Sequence, residues 1–140
     1  MSKPPKHFYY MYVGPYPVTV VFAPNARAWD RAVKKFNIRD AGPYPENAGK
    51  CLICWPENRD VTNTRAINMV IVVTVDTTDE SITPSQLAGI CAHEATHVWQ
   101  FMVEMIGEEN PSYEFEAYTI QSLTQGLLDS IRRYRKACKK

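Results

Sequence analysis

The chain has 140 residues, enough to bury one core and too few for two, so a single domain over 1–140 is expected. Apolar residues make up 45% and charged residues 22%, a balance that excludes wholesale disorder. Sixteen basic against fifteen acidic side chains leave a net charge of +1, too little for a field that would steer the whole molecule onto nucleic acid or an anionic membrane.

The aromatic segment Phe8-Tyr9-Tyr10-Met11-Tyr12-Val13 reads as an edge strand or a strap over the core. After Gly14-Pro15, Val18 to Phe22 reads as a buried strand. Asn25 then caps a helix over Ala26 to Phe36, whose apolar stripe is Trp29, Val33 and Phe36. Ala41 to Pro45 is loop. Cys51 to Trp55 is a short strand stopped by Pro56, and Ile67 to Val75 is the strongest strand pattern in the chain. That last run is far short of the ~20 apolar residues a membrane helix needs. No signal-peptide core follows Met1-Ser2-Lys3-Pro4-Pro5-Lys6, and the expected location is cytoplasmic.

Two long helices complete the domain. Thr83-Pro84-Ser85-Gln86 places a capping box and an N1 proline at the start of the first, which runs to Ile106 and breaks at Gly107. Asn110-Pro111 opens the second, which runs to Lys136. The expected class is α+β, a small mixed sheet packed on helices.

The four cysteines make one C-x-x-C, Cys51 and Cys54, with Cys91 in a helix and Cys138 in the tail. One such pair is half a zinc site and no second half accompanies it, so these read as ordinary thiols, with a redox pair as the rival. On one extended strand Cys51 and Cys54 point to opposite faces, which suits no chelate. The tail cations Arg132, Arg133, Arg135, Lys136, Lys139 and Lys140 read as a solvated helix end that complements the dipole, with a partner contact as the alternative.

The first long helix contains His93-Glu94-Ala95-Thr96-His97. At about 100° per residue the two histidines lie about 40° apart, one turn from each other, and two imidazoles so placed can share one tetrahedral zinc. Glu94 lies beside them, placed to take a proton from a zinc-bound water. It also falls within the apolar arc of Leu87, Ile90, Cys91, Val98, Phe101 and Met102. An unpaired carboxylate there costs several kcal/mol, on the order of a lost buried polar partner, unless a site requires it. The competing reading pairs Glu94 with a buried arginine and makes the histidines incidental.

A third histidine at the H-E-x-x-H-x-x-G-x-x-H spacing is missing, since Gln100 and Val103 hold those positions. The chain continues instead through a helix break to Tyr113-Glu114-Phe115-Glu116-Ala117-Tyr118. In these residues it resembles the gluzincins, zinc peptidases with H-E-x-x-H on one helix and a glutamate ligand on the next. More narrowly, it looks like the minimal, single-domain gluzincins found in phages and mobile elements. The resemblance spans roughly residues 67 to 125 and implies a zincin-like fold.

It further implies that His93 and His97 are zinc ligands and that Glu94 is the general base. The E-x-x-A of Glu114 and Ala117 matches the ligand glutamate, with Glu116 as the alternative. Tyr118 would donate to a ligand or to the oxyanion, or simply pack. The strand Met69 to Val75 would be the edge that pairs with the substrate backbone.

The resulting expectation is a hydrolase, a zinc metallopeptidase acting on a protein or peptide, with no membrane or nucleic-acid partner. Two alternatives stay open. One is a zincin-fold structural or binding part, for example of a phage particle, assembled into a larger complex and with little turnover. The other is a thiol-redox or interaction module centred on Cys51 and Cys54.

Overall fold

The computed structural model describes residues 3–14, 16–55 and 69–140. Its elements, in chain order, are β1 (Tyr9–Met11), β2 (Thr19–Phe22), α1 (Ala26–Phe36), β3 (Gly49–Cys54), β4 (Val70–Val75), α2 (Pro84–Ile106) and α3 (Tyr113–Cys138). The four strands form one mixed sheet in the order β1-β2-β4-β3, and the class is α+β. β4 runs parallel to β2 and antiparallel to β3, while β1 closes the other side antiparallel to β2.

β4 explains the layering. Its sequence Val-Ile-Val-Val-Thr-Val carries no charged side chain, and all six residues are buried. Ile71, Val73 and Val75 face a core shared with α2 and α3; Val70 and Val72 face a second core shared with Ala28 and Trp29 of α1. A strand that is apolar on both faces needs cover on both. On one side of the sheet, α2 therefore lies over β3 and β4 and α3 over β1, with α1 on the other side. Each of the fully buried side chains Phe22, Ile71, Met102 and Leu127 contributes about 1.5–3 kcal/mol of burial free energy.

Local signals fix the first two helices. The Asn25 side chain accepts from Ala28 N–H at 2.9 Å, and Asn37, in the left-handed region at φ 49°, ends α1 by donating to Val33 O. At α2, Gln86 N–H donates to Thr83 Oγ1 at 3.2 Å and Thr83 N–H to Gln86 Oε1 at 2.8 Å, the capping box expected from Thr83-Pro84-Ser85-Gln86. Gly107, at φ 70°, terminates α2 where a side chain would be strained.

The start of α3 differs from the sequence reading. Asn110 and Pro111 stay outside the helix, which begins at Tyr113 after an extended Ser112 at ψ 134°. Ser112 contributes its backbone carbonyl to Glu116 N–H at 3.0 Å and makes no side-chain cap. The segment Ile67-Asn68, read as the start of the fourth strand, and Pro56, read as the stop after Trp55, lie outside the described residues. No helix among the described residues is long and apolar enough to cross a membrane.

The C-x-x-C pair is split between the two faces of the sheet. Cys51 packs toward the α2 and α3 core, and Cys54 lies in the α1 core. Burial pushes the Cys54 and Cys91 thiols up to about 11, and Cys51 higher still. At pH 8 a thiol with a pKa near 11 is roughly one part in a thousand thiolate, and the thiolate is the reacting species. Cys138 is exposed. Iodoacetamide followed by mass spectrometry should therefore label Cys138 first, and the other three only after denaturation. Rapid native labelling of Cys51 and Cys54 would restore the redox-pair reading.

Candidate metal centre

α2 meets the sheet through Cys91, Ala95, Val98 and Met102, all fully buried. The 100° step of the helix then decides where the neighbouring residues go. Glu94 falls on the flank of the buried stripe and is only 4% exposed. His93 lies on the solvent side, and His97 is half-buried. The two imidazoles stand nearly perpendicular, at 83°, with their Nε2 atoms 3.1 Å apart.

That separation tests whether the pair fits a metal. Two nitrogens bound at about 2.0–2.1 Å to one tetrahedral ion stand roughly 3.3 Å from each other. His97 Nδ1 is 3.0 Å from Gln100 Oε1. An acceptor at that point places the proton on Nδ1 and leaves the Nε2 lone pair directed at His93. Phe101 stacks on the His97 ring at 6.3 Å and 21°. The 3.1 Å separation is that of a hydrogen bond between the rings, and it is also close to the spacing that one shared cation would need.

Glu94 supplies the second observation. Its Oε2 has no hydrogen-bond partner among the described residues. Burial pushes its carboxyl above the ordinary range, and the nearby His93 and His97 pull it partly back. Its Oε1 lies against the backbone of Gly49, the first residue of β3. A Cβ built there would stand 2.9 Å from Glu94 Oε1 and 2.9 Å from Ile90 Cγ2. Gly49 leaves room for the carboxylate, and nothing in its local sequence marks it, because the contact joins β3 to α2 across 45 residues of chain. Gln100 is visible in the sequence only as a departure from the three-histidine spacing. Its position three residues after His97 is the signal for its role as an orienting acceptor.

His93, Glu94 and Gly49 line a groove of about 680 Å³ with Ala48, Ile82 and Ile90. This groove runs between α2 and the start of β3. β3 is an edge strand beside the site: among the described residues no strand pairs with its outer side, and Arg39 N–H donates to Trp55 O at 2.8 Å just beyond its end. The substrate-pairing edge expected along Met69 to Val75 is corrected accordingly. β4 is an inner strand, bonded to β2 and β3 on its two sides, and has no free edge.

The structure does not bring Glu114, Glu116 or Tyr118 to the histidines. Among the described residues no third His, Cys, Asp or Glu completes a metal-holding cluster. One feature accounts for this: α3 packs on the opposite flank of α2, where Trp99, about 200° round the helix from His97, contacts Phe115 at 5.7 Å and Tyr16 at 6.3 Å. Glu114 is exposed and Glu116 half-buried. Tyr118 is 65% exposed and lines a shallow pocket with Tyr12, Tyr16 and Phe115. No known protein family, curated protein or solved structure matches the chain.

The Gly49 contact can be tested by stability. Gly49→Ala must displace Glu94 or Ile90, both held in a packed interface, and should cost about 1–3 kcal/mol in denaturant unfolding. Adding Glu94→Ala to Gly49→Ala should recover part of that loss, because it removes the carboxylate's share of the clash and leaves that with Ile90 Cγ2. A Gly49→Ala protein as stable as wild type would show that the carboxylate is not confined there.

Proposed function

We propose that the chain is a zinc-dependent metallopeptidase of the minimal gluzincin type. The carrying observation is the conjunction of two imidazole Nε2 atoms 3.1 Å apart with a buried carboxylate whose Oε2 lacks a partner among the described residues, His93 and Glu94 lining one groove. A structural site needs the first of these; only proton transfer gives a use to the second. His93 and His97 would hold the ion through Nε2, with Gln100 fixing the His97 ring. Zinc bound there supplies Lewis acidity, lowering the pKa of a coordinated water toward about 7 and polarising a carbonyl.

The remaining roles belong to the chain itself. Glu94 takes the proton of the attacking water at its carboxylate and passes it to the leaving amine, a role suited to a carboxyl held above its ordinary range by burial. Ile82 and Ile90 give the open groove beside it an apolar part, and Asp79 and Gln86 a polar one. β3 would hold the substrate. Asp76 N–H donates to Ala48 O at 2.9 Å. By the alternation of an antiparallel ladder, Gly49, Cys51 and Ile53 turn their backbone N–H and C=O groups away from β4. An extended peptide that pairs with that edge passes directly beside Glu94.

A second reading is favoured by one specific observation: no third His, Cys, Asp or Glu is gathered at the histidines among the described residues. On that reading the chain is a binding or structural part, for example of a phage particle, and turns over little substrate.

Metal analysis and a peptide-library assay separate the two. The purified protein should hold one zinc per chain. His93→Ala and His97→Ala should lose it. Glu94→Gln should keep it while hydrolysis falls by about 10²–10⁴-fold. Stoichiometric zinc with no cleavage of any peptide selects the second reading. Zinc retained by His93→Ala and lost by Cys51→Ser would overturn both.

The two glutamates of α3 give a further test. Since both stand apart from the pair, Glu114→Ala and Glu116→Ala should each leave zinc affinity within about threefold of wild type by competition titration, under 1 kcal/mol. A hundredfold loss in either variant would establish that carboxylate as the third ligand.

A further inference from the structure

The two ends of α3 carry opposite charge, and of the basic residues at one end and the glutamates at the other only Arg132 is ion-paired among the described residues, with Asp129 at 3.2 Å. At its C-terminal end a groove of about 570 Å³ lies between α2 and α3. Ile82, Leu87 and Leu128 give it an apolar floor, while Arg132, Arg135, Lys136 and Lys139 rim it with no acidic residue in the lining. At the other end, Glu108, Glu109 and Glu114 are exposed. Beside them Tyr113 is 89% exposed and Phe115 46%. None of these glutamates, nor Arg135, Lys136 or Lys139, forms an ion pair among the described residues. Glu114 and Arg135 are 21 residues apart on one helix, about 32 Å at 1.5 Å per residue, so they cannot meet within one molecule.

We infer that this face of α3 is a dimer interface, and that the occupant of the basic groove is the acidic, aromatic start of α3 in a second copy of the chain. One flank of α3 carries Glu114, Ala117, Gln121, Leu128, Arg132 and Arg135. Their spacing, 3, 4, 7, 4 and 3 residues, reads the same in both directions and keeps to one helix face. Two copies set antiparallel about a two-fold axis between Thr124 and Gln125 therefore place Glu114 opposite the partner's Arg135, Ala117 opposite the partner's Arg132, and Gln121 opposite the partner's Leu128.

The middle of the flank, Ala117 to Leu128, has no charged residue to be stripped of water. The two ends make the same contact twice, as an isologous interface requires, so the assembly closes at two copies. The exposed Tyr113 of each copy then has an apolar groove to enter, at the level of Lys136. A parallel arrangement would set glutamates on glutamates and arginines on arginines, which excludes it.

Sedimentation velocity of the full chain over about a hundredfold range of concentration tests this, since dimerisation is set by mass action. A dimer is expected at the high end, weakening as salt screens the exposed charges. Arg135→Glu and Glu114→Arg should each weaken association at least about tenfold, and the double exchange should restore it to within about threefold of wild type. Arg135→Gln, which removes the charge without opposing the helix dipole, should weaken it in the same direction, with far-UV circular dichroism confirming an unchanged fold. A monomer at every concentration overturns the proposal. So does a dimer indifferent to the single reversals, or one that the double exchange fails to restore. Tighter binding of an unrelated acidic peptide to the groove than of a second copy would likewise replace this occupant with another.

Discussion

β4 has to be covered on both faces, and most of the architecture derives from that requirement. Its six residues offer no polar face to solvent, so one layer of helix cannot suffice. α1, supplied by the β2-to-β4 crossover, covers Val70 and Val72. α2 and α3 cover Ile71, Val73 and Val75. Once α2 is laid on the sheet through Cys91, Ala95, Val98 and Met102, no freedom remains in where its other residues point. The residue before Ala95 must lie on the flank toward β3, and that residue is Glu94. The histidines one position before it and three after it must then face out.

A carboxylate forced against a sheet edge is a poor choice for stability. Burial raises its pKa, its Oε2 is unpartnered among the described residues, and its Oε1 is accommodated only because β3 begins with a residue that has no Cβ. Alanine, leucine or methionine at position 94 would suit the same packing at less cost. Proteins hold such groups where chemistry uses them. On the proposed reading the adjacent imidazole pair supplies a reason: two Nε2 atoms 3.1 Å apart, one ring oriented by Gln100 and stacked on Phe101. The physical cost and the proposed activity are two sides of a single arrangement, as is usual when stability and function compete for a position.

The placement of α3 divides the surface of α2 into two territories. On the flank toward β3 lie the histidines, Glu94 and the free strand edge. On the other flank Trp99 seats Phe115 and Tyr16, and the helix pair leaves the basic groove. Charges segregated along α3 therefore sit away from His93 and His97. The proposed association through one flank and the proposed peptide binding at the other do not compete for the same surface.

Features with a short-range cause could be read directly from the sequence. Asn25 capping α1, the Thr83–Gln86 box, the Gly107 stop and the His93–His97 pairing each depend on residues within a few positions, and each has the geometry its spacing implies. The opposed faces of Cys51 and Cys54 come from strand alternation alone. The tertiary structure decided what joins distant segments. Strand order made β4 an inner strand and β3 the free edge, and it set Gly49 against Glu94. The flank on which α3 packs kept Glu114 and Glu116 away from the histidines, although their spacing after His97 suggested otherwise. Periodicity specifies which face of an element is apolar; it does not specify which neighbour covers that face, because that choice is made by the packing of the whole core.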